Sequence, residues 1–153
     1  MIGFRAEAAT TDSAKMLAAL IRGASDMRPI FHQVVEPEFY RMEYERFEGE
    51  GSPDHWAALS PKYAAWKANH FPGRRILERE GLLKESLTQY PARHQIRRMS
   101  EHEFEIGTRH PAAGFHQYGT RKMPKREIID FKAADGKRLE KLIESWFAKA
   151  VKS

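Results

Sequence analysis

Cysteine is absent from this chain, so histidine, serine, glutamate and glycine must supply any reactive chemistry. Disulfides, thiolate metal sites and cysteine nucleophiles are excluded with it. The seven histidines are His32, His55, His70, His94, His102, His110 and His116. None forms an HExxH pair or another spacing typical of zinc ligands. His110 and His116 could converge in space, but no carboxylate lies between them. Imidazole donates and accepts at once, so His116 reads as a hydrogen-bonding residue that meets a neighbouring backbone group or a subunit partner. Ser60 and Ser86 lie outside any GxSxG elbow. Ser60 reads as a helix cap and Ser86 as a small polar position in a short helix. Gly107 and Gly119 build no phosphate loop, since neither GxxxxGK[ST] nor GxGxxG is present. Glu78, Glu80 and Glu85 read as surface charges rather than a glycosidase pair. The expectation is a protein without catalytic residues, cofactor or metal.

Cations are the remaining chemistry. Arg121, Lys122, Lys125 and Arg126, with Arg74, Arg75, Arg97 and Arg98, could line a nucleic-acid surface on which Phe115 and Tyr118 stack bases. A solvated face or an acidic partner protein accounts for them equally well. The net charge is +5 and unevenly spread, with −2 over residues 1–48 and +7 over residues 49–153.

The elements that must position these residues follow from periodicity. At 153 residues, 41% hydrophobic and 31% charged, the chain has the size and composition of one soluble globular domain. No apolar run approaches the ~20 residues of a membrane span. The start lacks a basic segment followed by an apolar block, so no secretory signal is expected. Residues 1–11 read as a loose end or a short strand. Asp12 or Ser13 caps a helix carrying Met16, Leu17, Leu20 and Ile21, which Gly23 ends. A second helix starts near Arg28 with Pro29 in its first turn. Its stripe is Ile30, Phe31, Val34, Val35, Phe39, Met42 and Phe47. Pro37 lies inside that stripe and predicts a kink or break.

Residues 48–55 read as a flexible loop. Trp56 and Leu59 anchor the next segment. Ser60-Pro61 opens a helix carrying Tyr63, Trp66 and Lys67, which ends near Asn69 to Phe71. Gly81 to Leu87 predicts a short helix that Pro91 closes. His94 to Met99 and His102 to Gly107 alternate with period two and predict paired strands burying Ile96, Phe104 and Ile106. One or two helical turns are expected over Pro111 to Tyr118, a basic loop over Arg121 to Lys125, and a further strand over Arg126 to Phe131. Ala133 to Lys152 reads as an amphipathic helix with Leu139, Leu142, Ile143, Trp146, Phe147 and Ala150 on one face. The fold class is therefore α+β: a small antiparallel sheet packed against several helices, with long N-terminal helices and a C-terminal amphipathic helix, in a single domain over residues 1–153.

The stretch from Phe104 to Phe131 gathers turns, aromatics and cations, and with two earlier segments it resembles a known family. Pro53-Asp54, Trp56 to Tyr63 and Trp66-Lys67 are similar to the family's Trp and Leu-Ser-Pro helix start with a downstream Lys. Gly81-x-Leu83-x-x-Ser86 is similar to its "Gly-x-Leu-x-x-Ser" helix. Ile106-Gly107-Thr108 and Phe115-His116-Gln117-Tyr118-Gly119 resemble its "Ile-Gly-Thr … Ile-His-Gln-Phe-Gly" block. Pro124 to Ile129 stands where the family has "Pro-Ala-Arg-Pro-Phe", with Glu127 and Ile128 replacing the second Pro and the Phe. Ala112-Ala113-Gly114 replaces the usual Tyr-Ala-Ala.

The family is that of virion morphogenesis, or tail completion, proteins of tailed bacteriophages and Mu-like prophages. The resemblance implies a structural protein that completes the tail or joins it to the head, working as a ring, often hexameric. The implied partners are other copies of the chain, the tail tube and head–tail connector proteins. DNA ranks behind them and no membrane is involved. The implied location is the virion, assembled in the bacterial cytoplasm. Interface candidates are Trp56, Phe115, His116, Gln117, Tyr118, Arg121, Lys122, Lys125 and Arg126. Trp56, Trp66, Phe115 and Tyr118 serve either core or interface, and core is favoured for Trp56 because large aromatics are mostly buried. The rival function is nucleic-acid binding through basic loops 121–126 and 97–98.

Overall fold

The computed structural model describes the backbone of residues 2–6 and 26–152 and the side chains of residues 26–149. The helix expected after Asp12 or Ser13 lies outside the described residues. The architecture is α+β. Strand β1 (Ile2–Ala6) is followed by α1 (Arg28–Ile30), a π-helical turn (Phe31–Val35) and α2 (Glu36–Glu48). Then come α3 (Pro61–His70), α4 (Leu82–Thr88), β2 (Gln95–Met99), β3 (Phe104–Thr108), α5 (Ala113–Tyr118) and α6 (Ala133–Lys152). The strands form one sheet in the order β1-β3-β2. β2 and β3 are the expected antiparallel pair, and Ile96, Phe104 and Ile106 are fully buried as the alternation requires.

The contacts group the chain into two compact units, each with its own interior. One comprises Met1–Gly3, Tyr40–Ile96 and Gly107–Asp130; the other comprises Phe4–Phe39, Arg97–Ile106 and Phe131–Ser153.

In the second unit, Phe31 stacks on Phe104 with ring centres 5.7 Å apart. Arg97 grips the buried Glu36 carboxylate through two nitrogens, one at 2.9 Å. α6 carries Trp146, whose indole N–H donates to Gln33 Oε1 at 2.8 Å, and Arg138, which donates to Glu38 at 2.8 Å. These side chains fasten α6 to the π-helical turn and to the first turn of α2. The helical run is not broken at Pro37, one of the two outcomes that the sequence suggests. The π turn ends with Glu36 N–H donating to Phe31 O, and Pro37 then falls in the first turn of α2. The one-residue register change that a π turn supplies lies just before the proline.

In the first unit, the core is built on Phe47, Trp56, Leu83, Leu87, Ile96 and Ile128. Trp56 meets Phe47 edge-to-face at 5.2 Å. The segment over residues 48–55 is a run of hydrogen-bonded turns. Gly51 N–H donates to Arg46 O at 2.8 Å and Trp56 N–H to Glu50 O at 2.8 Å. Gly51 has φ +84°, and a Cβ there would lie 2.5 Å from the Trp56 ring, so only glycine lets the turn close on the indole. Ser60 caps α3 by accepting from Tyr63 N–H at 3.4 Å, as its position before Pro61 predicts. Ser86 is fully buried in α4, donating to Leu83 O and Thr108 Oγ1 at 2.7 Å each.

Candidate functional site: the α5 surface and its groove

α5 and the chain that follows it hold most of the residues the sequence singles out, and the structure sorts them into two groups. The first group is internal. Residues 126–130 do not form the expected strand. Side chains, not a neighbouring strand, satisfy much of their backbone. The Gln117 carboxamide accepts from Ile128 N–H at 2.9 Å and Ile129 N–H at 3.0 Å, and donates to Ile129 O at 2.7 Å. The Trp56 indole donates to Glu127 O at 2.9 Å, and Arg46 to Asp130 O at 2.5 Å. Arg126 N–H reaches back to His116 O at 2.8 Å. The alternating apolar pattern buries Ile128, as a strand would, but the hydrogen-bond partners come from α5, α2 and the Trp56 segment.

Arg126 is 5% exposed and donates to the carbonyls of Ala57 at 2.7 Å and Ala58 at 2.9 Å. Trp56 is 9% exposed. Trp56, Gln117 and Arg126 thus knit one interior together. Arg46 completes the set, and sequence reasoning missed it: nothing local marks a cation whose target carbonyl lies 84 positions away.

The second group is at the surface. Phe115 is 58% and Tyr118 73% exposed. Gly119 leaves α5 with φ +71°, and a Cβ there would meet Lys125 N at 2.9 Å. That close approach folds Thr120–Met123 into a tight turn, with Thr120 N–H donating to Met123 O at 2.9 Å. Arg121 and Lys122 stand exposed at its tip, and neither makes an ion pair among the described residues. Lys125 pairs with Glu127. Of the other cations offered for nucleic acid, Arg75 pairs with Glu48, Arg97 with Glu36 and Arg98 with Glu105.

His116 bridges the two groups. Its Nδ1 is buried without a hydrogen-bond partner among the described residues, so of the two expected partners the neighbouring backbone does not serve this nitrogen. Burial, reinforced by the Arg126 guanidinium and by His110, holds its pKa below the ordinary value. The ring is therefore neutral at neutral pH. His110 is lowered by burial and by His94. Its Nδ1 accepts from Ala112 N–H at 3.2 Å, which puts its proton on Nε2. Both rings line a groove of about 650 Å³ between α3, α4 and the turn after α5. Its walls include Leu59, Leu77, Leu82, Met123 and Pro124, and Lys67, Arg79, Lys122 and Arg126 also line it. Lys67 is 4% exposed, and burial lowers its pKa. Among the described residues no three His, Asp or Glu side chains gather as metal ligands would, and no helix is long and apolar enough to cross a membrane.

Around α5, then, a packed interior carries exposed aromatics and cations on a short helix and a tight turn. The family model for the phage virion morphogenesis family matches residues 8–148. The chain belongs to that family, and its part in building the phage virion is structural. No curated protein and no solved structure matches the chain.

Proposed function

We propose that the protein completes the tail of a tailed phage and joins it to the head, as a closed ring of identical subunits, a hexamer in the simplest case. Its partners are neighbouring copies, the tail tube and the head–tail connector, met in the host cytoplasm and retained in the virion. The work is done by surface complementarity, without a catalytic step.

One observation carries the ring reading: the exposed pair Phe115 and Tyr118 on a helix that Ala113 and the Gln117 carboxamide fasten to the interior. Exposed large aromatics on a rigid support are what a subunit contact uses as anchors. A contact between two different patches closes into a ring when its rotation closes. Nucleic-acid binding is the weaker reading because Arg75, Arg97, Arg98 and Lys125 already hold carboxylates and Arg126 is buried.

Light scattering across concentration and salt, with negative-stain images of the same fractions, tests this. Closed rings free of nucleic acid, or protein bound at the ends of added purified tails, are the expected result. Persistent monomers that ignore tails would sink the reading.

A further inference from the structure

The groove beside α5 has a floor of positive charge that no described carboxylate contacts. Lys67 and Arg126 are both buried and both line it. Lys67 donates to Arg75 O, and Arg126 to Ala57 O and Ala58 O. Among the described residues neither forms an ion pair, and Glu78 and Glu50 act on Lys67 without pairing with it. Carbonyl dipoles solvate a buried cation but leave its charge uncancelled. At the rim Lys122 is exposed and has no ion pair among the described residues, while Glu80, the one carboxylate in the lining, is taken up by Arg79 at 2.9 Å. His116 adds a buried ring nitrogen with no partner. Between these polar points the walls are aliphatic, and Tyr63 already stacks on Trp66 at 5.6 Å.

We propose that this groove is a docking site for an extended segment of a partner protein that carries a carboxylate between apolar side chains. About 650 Å³ is room for several side chains, within the range of clefts that enclose a ligand. The carboxylate would sit in the field of Lys67 and Arg126 and meet Lys122, and the apolar side chains would cover Leu59, Leu82 and Met123. Nucleic acid fits less well. A phosphate track needs a row of free cations and open aromatic faces, and among the groove's cations only Lys122 is both exposed and unpaired. The proposal adds partner chemistry to the assembly reading without depending on it, because docking is scored on monomer and ring alike.

Fluorescence anisotropy on the full chain tests it with a labelled short peptide alternating Glu and Leu. The comparison probes are the same peptide with Gln for Glu, the same with Ser for Leu, and single-stranded DNA of equal charge. Saturable binding of the Glu–Leu peptide is expected, weakened roughly tenfold or more by either exchange. Lys122→Glu should weaken it several-fold, whereas Arg93→Glu, outside the groove, should leave it unchanged. The His116 ring-nitrogen resonances should move on titration with the peptide. Equal binding of all peptides, no binding, indifference to Lys122→Glu, or displacement of the peptide by DNA would each overturn the proposal.

Discussion

Gln117 does the work of a neighbouring strand with one side chain. Its carboxamide satisfies two N–H groups and one carbonyl of a segment that buries Ile128 completely. Gln117→Leu keeps the bulk but strands those groups, so urea denaturation should show a loss of about 2–4 kcal/mol. Gln117→Glu keeps the acceptor and loses only the donor to Ile129 O, so its cost should be smaller. The sequence marks Gln117 through the His-Gln-Tyr-Gly motif but assigns it outward, because a residue's neighbours do not reveal that its amide turns onto backbone 11 or 12 positions away. Trp56 was more legible, since indole size alone favours burial. His116 makes a pH prediction. Its folded pKa is depressed by burial first and by Arg126 second, so the neutral ring favours the folded state. That stabilisation is complete above the unfolded value of about 6.5 and is lost as pH falls through the folded value. His110 acts in the same direction, held down by burial and by His94. The urea midpoint should therefore fall between pH 8 and pH 5, and fall less steeply in His116→Gln; an unchanged slope would remove His116 from the account.

The elements with a strong local signature could be read before any coordinates. Ser60-Pro61 starts α3, Gly81 precedes α4, and Ala133–Lys152 is the C-terminal helix at its expected bounds. The alternating pairs around Ile96 and Phe104 give β2 and β3. Each follows from a cap, a glycine or a period that the element's own residues carry. Residues 126–131 and the unbroken helix across Pro37 depart from their local signature for the opposite reason. Ile128 and Ile129 look like strand residues, but an extended apolar segment is a sheet strand only if another backbone pairs with it, and here Gln117, Trp56 and Arg46 take that place. Pro37 looks like a break because periodicity assumes one α register, and the π turn changes the register just upstream. Hydrogen exchange separates the two kinds of element. The amides of Ile128 and Ile129 should be protected in the native protein and become fast in Gln117→Leu, while those of β2 and β3 stay slow. The Ser60 cap is long at 3.4 Å, so Ser60→Ala should cost about 0.5–1 kcal/mol, near the lower end for a capping serine.

For the whole molecule, the proposed ring can be tested apart from stability because the structure sorts inward from outward residues. Trp56, Gln117 and Arg126 hold the interior, so changing them confounds folding with assembly. Phe115 and Tyr118 are 58% and 73% exposed. Replacing both with serine should alter the unfolding free energy by no more than about 0.5 kcal/mol each, the usual scale for surface positions. If they anchor the contact between neighbours, each is worth about 2 kcal/mol or more there, and one weakened contact is repeated at every junction of a closed ring. On the proposed ring, the Phe115→Ser, Tyr118→Ser double variant should therefore scatter light as a monomer at concentrations where the parent is found assembled, with an unchanged melting curve. Rings persisting in the double variant would move the contact elsewhere, and the exposed tip at Arg121 and Lys122 is the next surface to reverse in charge. Monomers accompanied by a lowered melting temperature would instead make the aromatics part of the fold, despite their exposure.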